Sequence, residues 1–196
     1  VILAIDSSAG TSVALVDSSG NTLSTDHSDN PRGHAEVIGN LITGALRDGG
    51  ITAADLDQVV MGVGPGPFTG LRVGMAAAQA VAWAHSLPLW PVVSMDAAAW
   101  GQPSDVVVWS DQKRGERAWL AYRMEGSLPL ADGLPQLHRA SDFSEVEARF
   151  PDALIIEAPP VDAADLARVA VARKNLGLEF VGADALYLRA PDVTLS

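Results

Sequence analysis

The sequence predicts an α/β protein built as two lobes. Short runs rich in Val, Ile and Leu alternate with stretches of helical period along its 196 residues, the pattern of a sheet flanked by helices. A buried-strand pattern, Val59 to Val63, runs into a Gly- and Pro-rich loop and then a long Ala-rich helix. Each half, 1–102 and 103–196, opens on strands and closes on a helix, a hint of duplication. Gln102-Pro103-Ser104 is the best candidate boundary between the lobes.

In chain order, Val1 to Asp6 reads as a strand and Ser12 to Val16 as a second. Asp17-Ser18-Ser19-Gly20 supplies the turn residues of a hairpin, and Asn21 to Ser28 is a third, more polar strand. Asn30-Pro31-Arg32-Gly33 is a loop. From His34, the residues Val37, Ile38, Leu41, Ile42, Ala45 and Leu46 repeat with helical period until Gly49-Gly50. The second long helix spans about Thr69 to Ser86, with Pro88 just past its end. A strand, Leu89 to Val93, and a short helix, Ser94 to Trp100, close the first half. In the second half, the strands Asp105 to Trp109 and Ala118 to Met124 flank a charged turn around Gly115. Ser127 to Ser141 is rich in Pro and Gly and reads as extended loop. Phe143 to Phe150 reads as a short helix, Ala153 to Glu157 as a strand and Val161 to Lys174 as a helix. Tyr187 to Pro191 closes the chain.

Bulk properties exclude several classes. There is no cysteine, hence no disulfide, thiol nucleophile or thiolate metal site; this suits a reducing cytosol, and a cytoplasmic location is expected. Val1 to Ile5 is too short for a signal segment, and the longest apolar stretch, Val73 to Trp83, is far short of a membrane span. With 13 Lys and Arg against 24 Asp and Glu, the net charge is −11. Such a surface repels phosphate backbones, so direct binding to nucleic acid is not expected of this chain alone. The four histidines, His27, His34, His85 and His138, have no metal-ligand spacing, and no HExxH motif is present. No metal site and no catalytic residue are assigned.

The stretch Gly64-Pro65-Gly66-Pro67-Phe68-Thr69-Gly70-Leu71-Arg72-Val73-Gly74 sits between strand and helix, where backbone N–H groups can converge on an anion. It lacks the lysine of a P-loop, and Gly70 follows Gly66 by one residue too many for the dinucleotide fingerprint. Pro65 and Pro67 also remove two donors. Two readings stand: a tight strand-to-helix turn, or a phosphate site using Gly64, Gly66, Thr69 and Gly70. Asp6 has the same double reading. A carboxylate at a strand end beside Ser7-Ser8-Ala9-Gly10-Thr11 either holds Mg²⁺ near a phosphate or simply turns the chain.

Both long helices carry small residues four apart: Ala35, Gly39 and Thr43 in the first, and Gly74, Ala78 and Ala82 in the second. Stripes of this kind let helix backbones approach closely. They can serve packing on the protein's own sheet. Larger apolar residues on other faces suffice for that, so the stripes are read as a protein–protein surface.

Several motifs together resemble the TsaB (YeaZ) family. They are Ile2-Leu3-Ala4-Ile5-Asp6-Ser7-Ser8 with Ser12-Val13-Ala14-Leu15, then His34-Ala35-Glu36, Gly64 to Gly74, Arg114-Gly115-Glu116 and Tyr187-Leu188-Arg189. The Gly-Pro-Gly-x-Phe-Thr-Gly-Leu-Arg run is the specific one, while Ser127 to Lys174 carries little of the likeness. The resemblance implies an actin-like, sugar-kinase/Hsp70-type (ASKHA) fold of two ribonuclease-H-like lobes, the second smaller and degenerate. It also implies a subunit of the bacterial machinery that makes threonylcarbamoyladenosine at position 37 of tRNAs reading codons that begin with A.

In the related catalytic subunit, TsaD, a His-x-x-x-His pair follows the strand after the Gly-Pro helix. Here Ser94 and Ala98 occupy those two positions, and neither replaces imidazole as a ligand. The resemblance therefore implies a non-catalytic scaffold that binds and activates TsaD through its two long helices, alongside the ATPase subunit TsaE. ATP is then used by the complex and no cofactor is held by this chain. The same surface can pair two copies when the partner is absent. The alternative is an independent actin-like ATPase or sugar kinase, supported by Asp6 and the Gly-Pro loop but lacking an adenosine-binding Gly-Gly pair and a catalytic base. A peptidase lacks its zinc motif.

Overall fold

The first sheet has the strand order β3-β2-β1-β4-β5. β1 (Ile2–Asp6) lies at its centre and is buried along its whole length, as a strand of Ile-Leu-Ala-Ile covered on both faces must be. β2 (Thr11–Val16) and β3 (Thr22–Ser28) extend it as an antiparallel meander. β4 (Gln58–Gly62) and β5 (Leu89–Val92) run parallel to β1 on its other side. The computed structural model describes residues 1–28 and 33–189, so most of the loop predicted at Asn30 to Gly33, with Ala190 and Pro191, lies outside the described residues.

Two parallel connections need helices, and the chain supplies α1 (His34–Asp48) and α2 (Phe68–Ala84). Both pack on one face of the sheet, where Leu3, Ile5, Val13, Leu15, Val59 and Met61 meet Ile38, Leu41, Leu71, Met75 and Ala78. The alternate residues, Ile2, Ala4, Ala14, Val16 and Val60, point the other way and meet Leu166, Ala167 and Ala170 of α5 (Ala163–Asn175). The period of two along each strand thus feeds two cores.

The second sheet has the order β10-β6-β7-β8, with β9 also paired to β7. β6 (Val106–Asp111) and β7 (Glu116–Glu125) form the hairpin. β8 (Leu128–Ala131) and β9 (Gln136–Arg139) pair with successive parts of β7, and β10 (Leu154–Glu157) runs parallel to β6. This repeats the β3-β2-β1-β4 arrangement of the first sheet without its fifth strand. α4 (Ser144–Arg149) covers the outer face, where Val146 joins Val107, Trp119 and Phe143. α3 (Ser94–Ala99) joins the lobes: Val93, Met95 and Ala99 pack against Val106, Val108, Leu120 and Tyr122.

Two expectations need correction. The stretch Ser127 to Ser141 is not only loop but holds β8 and β9. Pro129 and Pro135 disguise it, yet Pro is tolerated where a strand has one free edge. The division at residue 103 also fails for α5, which follows the second sheet in sequence but covers the first. Its small residues Ala163, Ala164, Ala167 and Ala170 are what permit close packing there.

Candidate functional site

Asp6, at the end of β1, is 1 % exposed. Its carboxylate accepts hydrogen bonds from the Ser8 N–H (2.8 Å), the Ser8 hydroxyl (2.6 Å) and the Ser94 hydroxyl. Gly62 backs directly onto it, since a Cβ there would lie 1.9 Å from Asp6 Oδ2. Burial pushes the carboxyl above the usual carboxylate range, against the Ser8 and Ser94 hydrogen bonds that pull it down. Ser94 in turn accepts from the Gly64 N–H (2.9 Å). The strand end, the Gly-Pro loop and the start of α3 are therefore tied by one closed network.

Among the residues read as a phosphate site, Gly66 lines the cleft between the lobes, while Asp6, Gly64, Thr69 and Gly70 do not. Gly64 spends its N–H on Ser94. Gly70 is blocked by His34, whose Nε2 would lie 2.9 Å from a Cβ at that position. His34 is itself buried, with Nδ1 2.7 Å from Thr11 Oγ1, so the His-Ala-Glu motif opens α1 with a packing residue. Thr69 faces outward. The Asp6 carboxylate is enclosed and hydrogen-bonded, so it does not fit a magnesium nucleotide, and the geometry carries the turn reading for it. In the loop, Pro65 and Pro67 have no N–H and the Gly64 N–H is taken by Ser94, which removes three of its donors.

The cleft has a volume of about 560 Å³ and is lined by Ser8, Gly66, Ser94 and Ala98 on one side and by Ser110, Lys113 and Arg114 on the other. Tyr187, Leu188 and Arg189 lie along its mouth. There Phe68 stacks on Tyr187 with ring centroids 4.8 Å apart, and the Arg72 guanidinium sits 3.9 Å over Phe68. At the junction of the lobes, the Tyr122 hydroxyl donates to Asp96 Oδ1 (2.8 Å), with both residues buried. Desolvation lifts Asp96 to about 7 and pushes the Tyr122 phenol well above its ordinary value. Among the described residues, no three His, Asp or Glu side chains gather as a metal site.

The six small residues read as a partner surface divide. Ala35, Gly39 and Thr43 of α1 are exposed. Gly74, Ala78 and Ala82 of α2 are buried, which corrects the expectation for that helix. The Gly74 N–H donates to Ser7 Oγ (2.9 Å), and a Cβ at Gly74 would lie 2.2 Å from that oxygen. Ala78 is wholly enclosed in the core. Gly74 is small because the turn after β1 runs against it, while Ala78 and Ala82 lie in the core between helix and sheet. The outer face of α2 instead presents Arg72, Ala76, Gln79, Ala80 and Trp83, the last 88 % exposed. Sequence reading missed Trp83. The available signal was its place on the helix, five residues past Ala78 and so about 140° round from the buried stripe.

A family model described as TsaD, tRNA N6-adenosine threonylcarbamoyltransferase, matches residues 28–128, just over half of the 196 residues. The chain belongs to this family. An uncharacterized protein of Mycobacterium tuberculosis is 46% identical over 91 residues, 46% of this chain and 43% of that protein. The tRNA N6-adenosine threonylcarbamoyltransferase of Streptococcus mutans is 55% identical over 64 residues, 33% of this chain and 19% of that enzyme. The chain thus spans less than half the length of these curated relatives. The solved structure of YeaZ from Pseudomonas aeruginosa superposes with a TM-score of 0.78 at 23% identity, covering 95% of this chain and 99% of that one. A crystal structure of an uncharacterized protein with similarity to peptidase YEAZ, from the same organism, gives the same score over 96% of this chain. The family member described here has the actin-like, ASKHA-type fold of YeaZ. No helix among its described residues is long and apolar enough to cross a membrane.

Proposed function

We propose that this chain is the TsaB-type accessory subunit of a tRNA N6-adenosine threonylcarbamoyl transfer complex. It binds a catalytic relative, TsaD, through the outer faces of α1 and α2, and it takes no part in the chemistry. The observation that carries this is the outer face of α2, where an indole 88 % exposed stands beside Ala76 and Ala80. An almost fully exposed Trp beside small residues is the composition of an anchor and the flat ground around it. The exposed residues Ala35, Gly39 and Thr43 of α1 lie on the same side of the sheet and extend that ground. Two helices of a related subunit can meet it at short distance, and in the partner's absence so can a second copy of this chain.

The closed network at Ser94 supports the non-catalytic part of the proposal. Its hydroxyl is engaged by Asp6 and Gly64 at the position where the TsaB resemblance places a metal-binding histidine of the catalytic subunit. We assign ATP use, through TsaE, and tRNA binding to the other members of the complex.

The test is binding of the purified chain to its own organism's TsaD, compared for the native sequence and Trp83→Ala. Truncating an anchor of this kind costs about 2 kcal/mol or more, a loss of at least about thirtyfold in affinity, with thermal unfolding of the free chain unchanged. Undiminished binding would remove this face from the interface.

A further inference from the structure

Three motifs singled out in the sequence, the Gly-Pro-Gly-x-Phe loop, Arg114-Gly115-Glu116 and Tyr187-Leu188-Arg189, meet at one place, the mouth of the cleft. The segment after α5 returns across the first lobe, and the Leu186 N–H donates to the Val63 carbonyl (2.9 Å) at the end of β4. Tyr187 then stacks on Phe68, and its hydroxyl lies 2.5 Å from Arg72 Nε of α2. Two residues on, the guanidinium of Arg189 pairs with Glu116 and donates to the Lys113 carbonyl (3.1 Å) in the β6–β7 turn of the second lobe. Within five residues the chain grips both lobes.

The far grip holds an unusual turn. Lys113 and Arg114 are non-glycine residues at φ of 62° and 55°, and Gly115 follows at 72°. Consecutive left-handed residues are costly and persist where neighbours hold them. Arg189 supplies two such holds from outside the hairpin. The lobes are also joined by the chain itself between α3 and β6 and again between β10 and α5, and Ala158, Pro159 and Val161 of the latter connection line the cleft. Covalent joints with a separate non-covalent latch make the arrangement of a hinge.

We propose that residues 185–189 are a clasp that closes the cleft and fixes the angle between the lobes, and that it opens as a unit. Its contacts are few: a partly exposed ion pair, an aromatic stack at the surface, one backbone hydrogen bond, and Leu186 packed where the cores of the two lobes meet. Because the clasp also holds Arg72, the first residue of the exposed face of α2, its state is felt on that face. The proposal does not rest on the identity of the partner, and its test involves none.

The absence of cysteine allows clean spin labelling at Asn40→Cys on α1 and Ala148→Cys on α4, both exposed positions in different lobes. Electron–electron distance measurement on the otherwise native chain should give one narrow distribution. Adding Tyr187→Ala and Arg189→Ala should shift it to longer distance and broaden it, and amide exchange should quicken over residues 63–68 and 110–116 but not over α1. An unchanged distribution in a folded double variant overturns the clasp. Should that variant fail to fold, Arg189→Gln, which disturbs only the contacts of that guanidinium with Glu116 and the Lys113 carbonyl, decides by the same criterion: a broadened distribution supports the clasp and an unchanged one overturns it.

Discussion

Asp96 is buried where the lobes meet, and its carboxylate accepts a hydrogen bond from the Tyr122 hydroxyl. Desolvation lifts its carboxyl to about 7, with Arg173 as a minor opposing influence. The folded chain therefore holds this proton more firmly than the unfolded chain does. Stability from this group is fully present below the ordinary carboxylate value and is lost as pH rises through about 7. The whole effect is on the order of 4 kcal/mol. Asp6, also raised by burial, acts in the same direction. Asp96→Asn keeps an acceptor for Tyr122 but cannot ionise. Its urea-unfolding free energy should fall less between about pH 5 and pH 8 than that of the native chain; parallel pH profiles would show that Asp96 does not titrate in that window. Gly74 gives a second expectation at this scale. A methyl group at Gly74→Ala would strike Ser7 Oγ and disrupt its bonds to the Gly74 N–H (2.9 Å) and the Gly70 carbonyl (2.7 Å). Overpacking of this kind costs about 1–3 kcal/mol, read as a lower Tm of the isolated chain. A Tm equal to native would mean that the turn after β1 yields freely.

The helix α2 shows what could and could not be read in advance at the scale of an element. Its extent and its partner strands follow from the Gly-Pro loop, the apolar run and Pro88. Its orientation does not. Alanine lies on both sides, Ala78 and Ala82 inward and Ala76 and Ala80 outward, so spacing alone cannot say which stripe meets the sheet. What decides is the depth of the Ser7 turn against Gly74, a contact between residues 67 apart in the chain. β8 and β9 were hidden for a related reason, since edge pairing tolerates the Pro and Gly that mark loops. The site divides likewise. That Gly64 to Gly74, Arg114 to Glu116 and Tyr187 to Arg189 matter was readable from sequence; that they converge on one cleft mouth was not, because only the fold joins them. A paired substitution makes the orientation of α2 measurable. Ala78→Leu should lower the stability of the free chain by about 1–3 kcal/mol, whereas Ala80→Leu should leave it unfolding as before and weaken partner binding about tenfold or more, at about 1.4 kcal/mol per decade. The reverse pattern would turn the helix round.

At the scale of the whole molecule, charge decides what the chain can do unaided. The net charge is −11, and the cations present are largely engaged. Arg117 lies over Trp109 and Phe143, and Arg149 over Trp119 and Phe150. Arg47, Arg123, Arg168 and Arg189 each pair with a carboxylate. The cations lining the cleft, Lys113, Arg114 and Arg189, share it with Asp111. Non-specific binding of nucleic acid depends on releasing counterions from several neutralised phosphates, and its strength falls steeply with salt. A surface with this balance repels the backbone before any local contact forms. The isolated chain should therefore retain no tRNA in filter binding at micromolar protein near physiological salt, and lowering the salt should bring only weak retention. Once the proposed partner, TsaD, is added, retention should appear with the affinity of TsaD. A salt-sensitive complex of micromolar strength or tighter, formed by this chain alone, would place a basic groove on the molecule and move tRNA recognition onto this subunit.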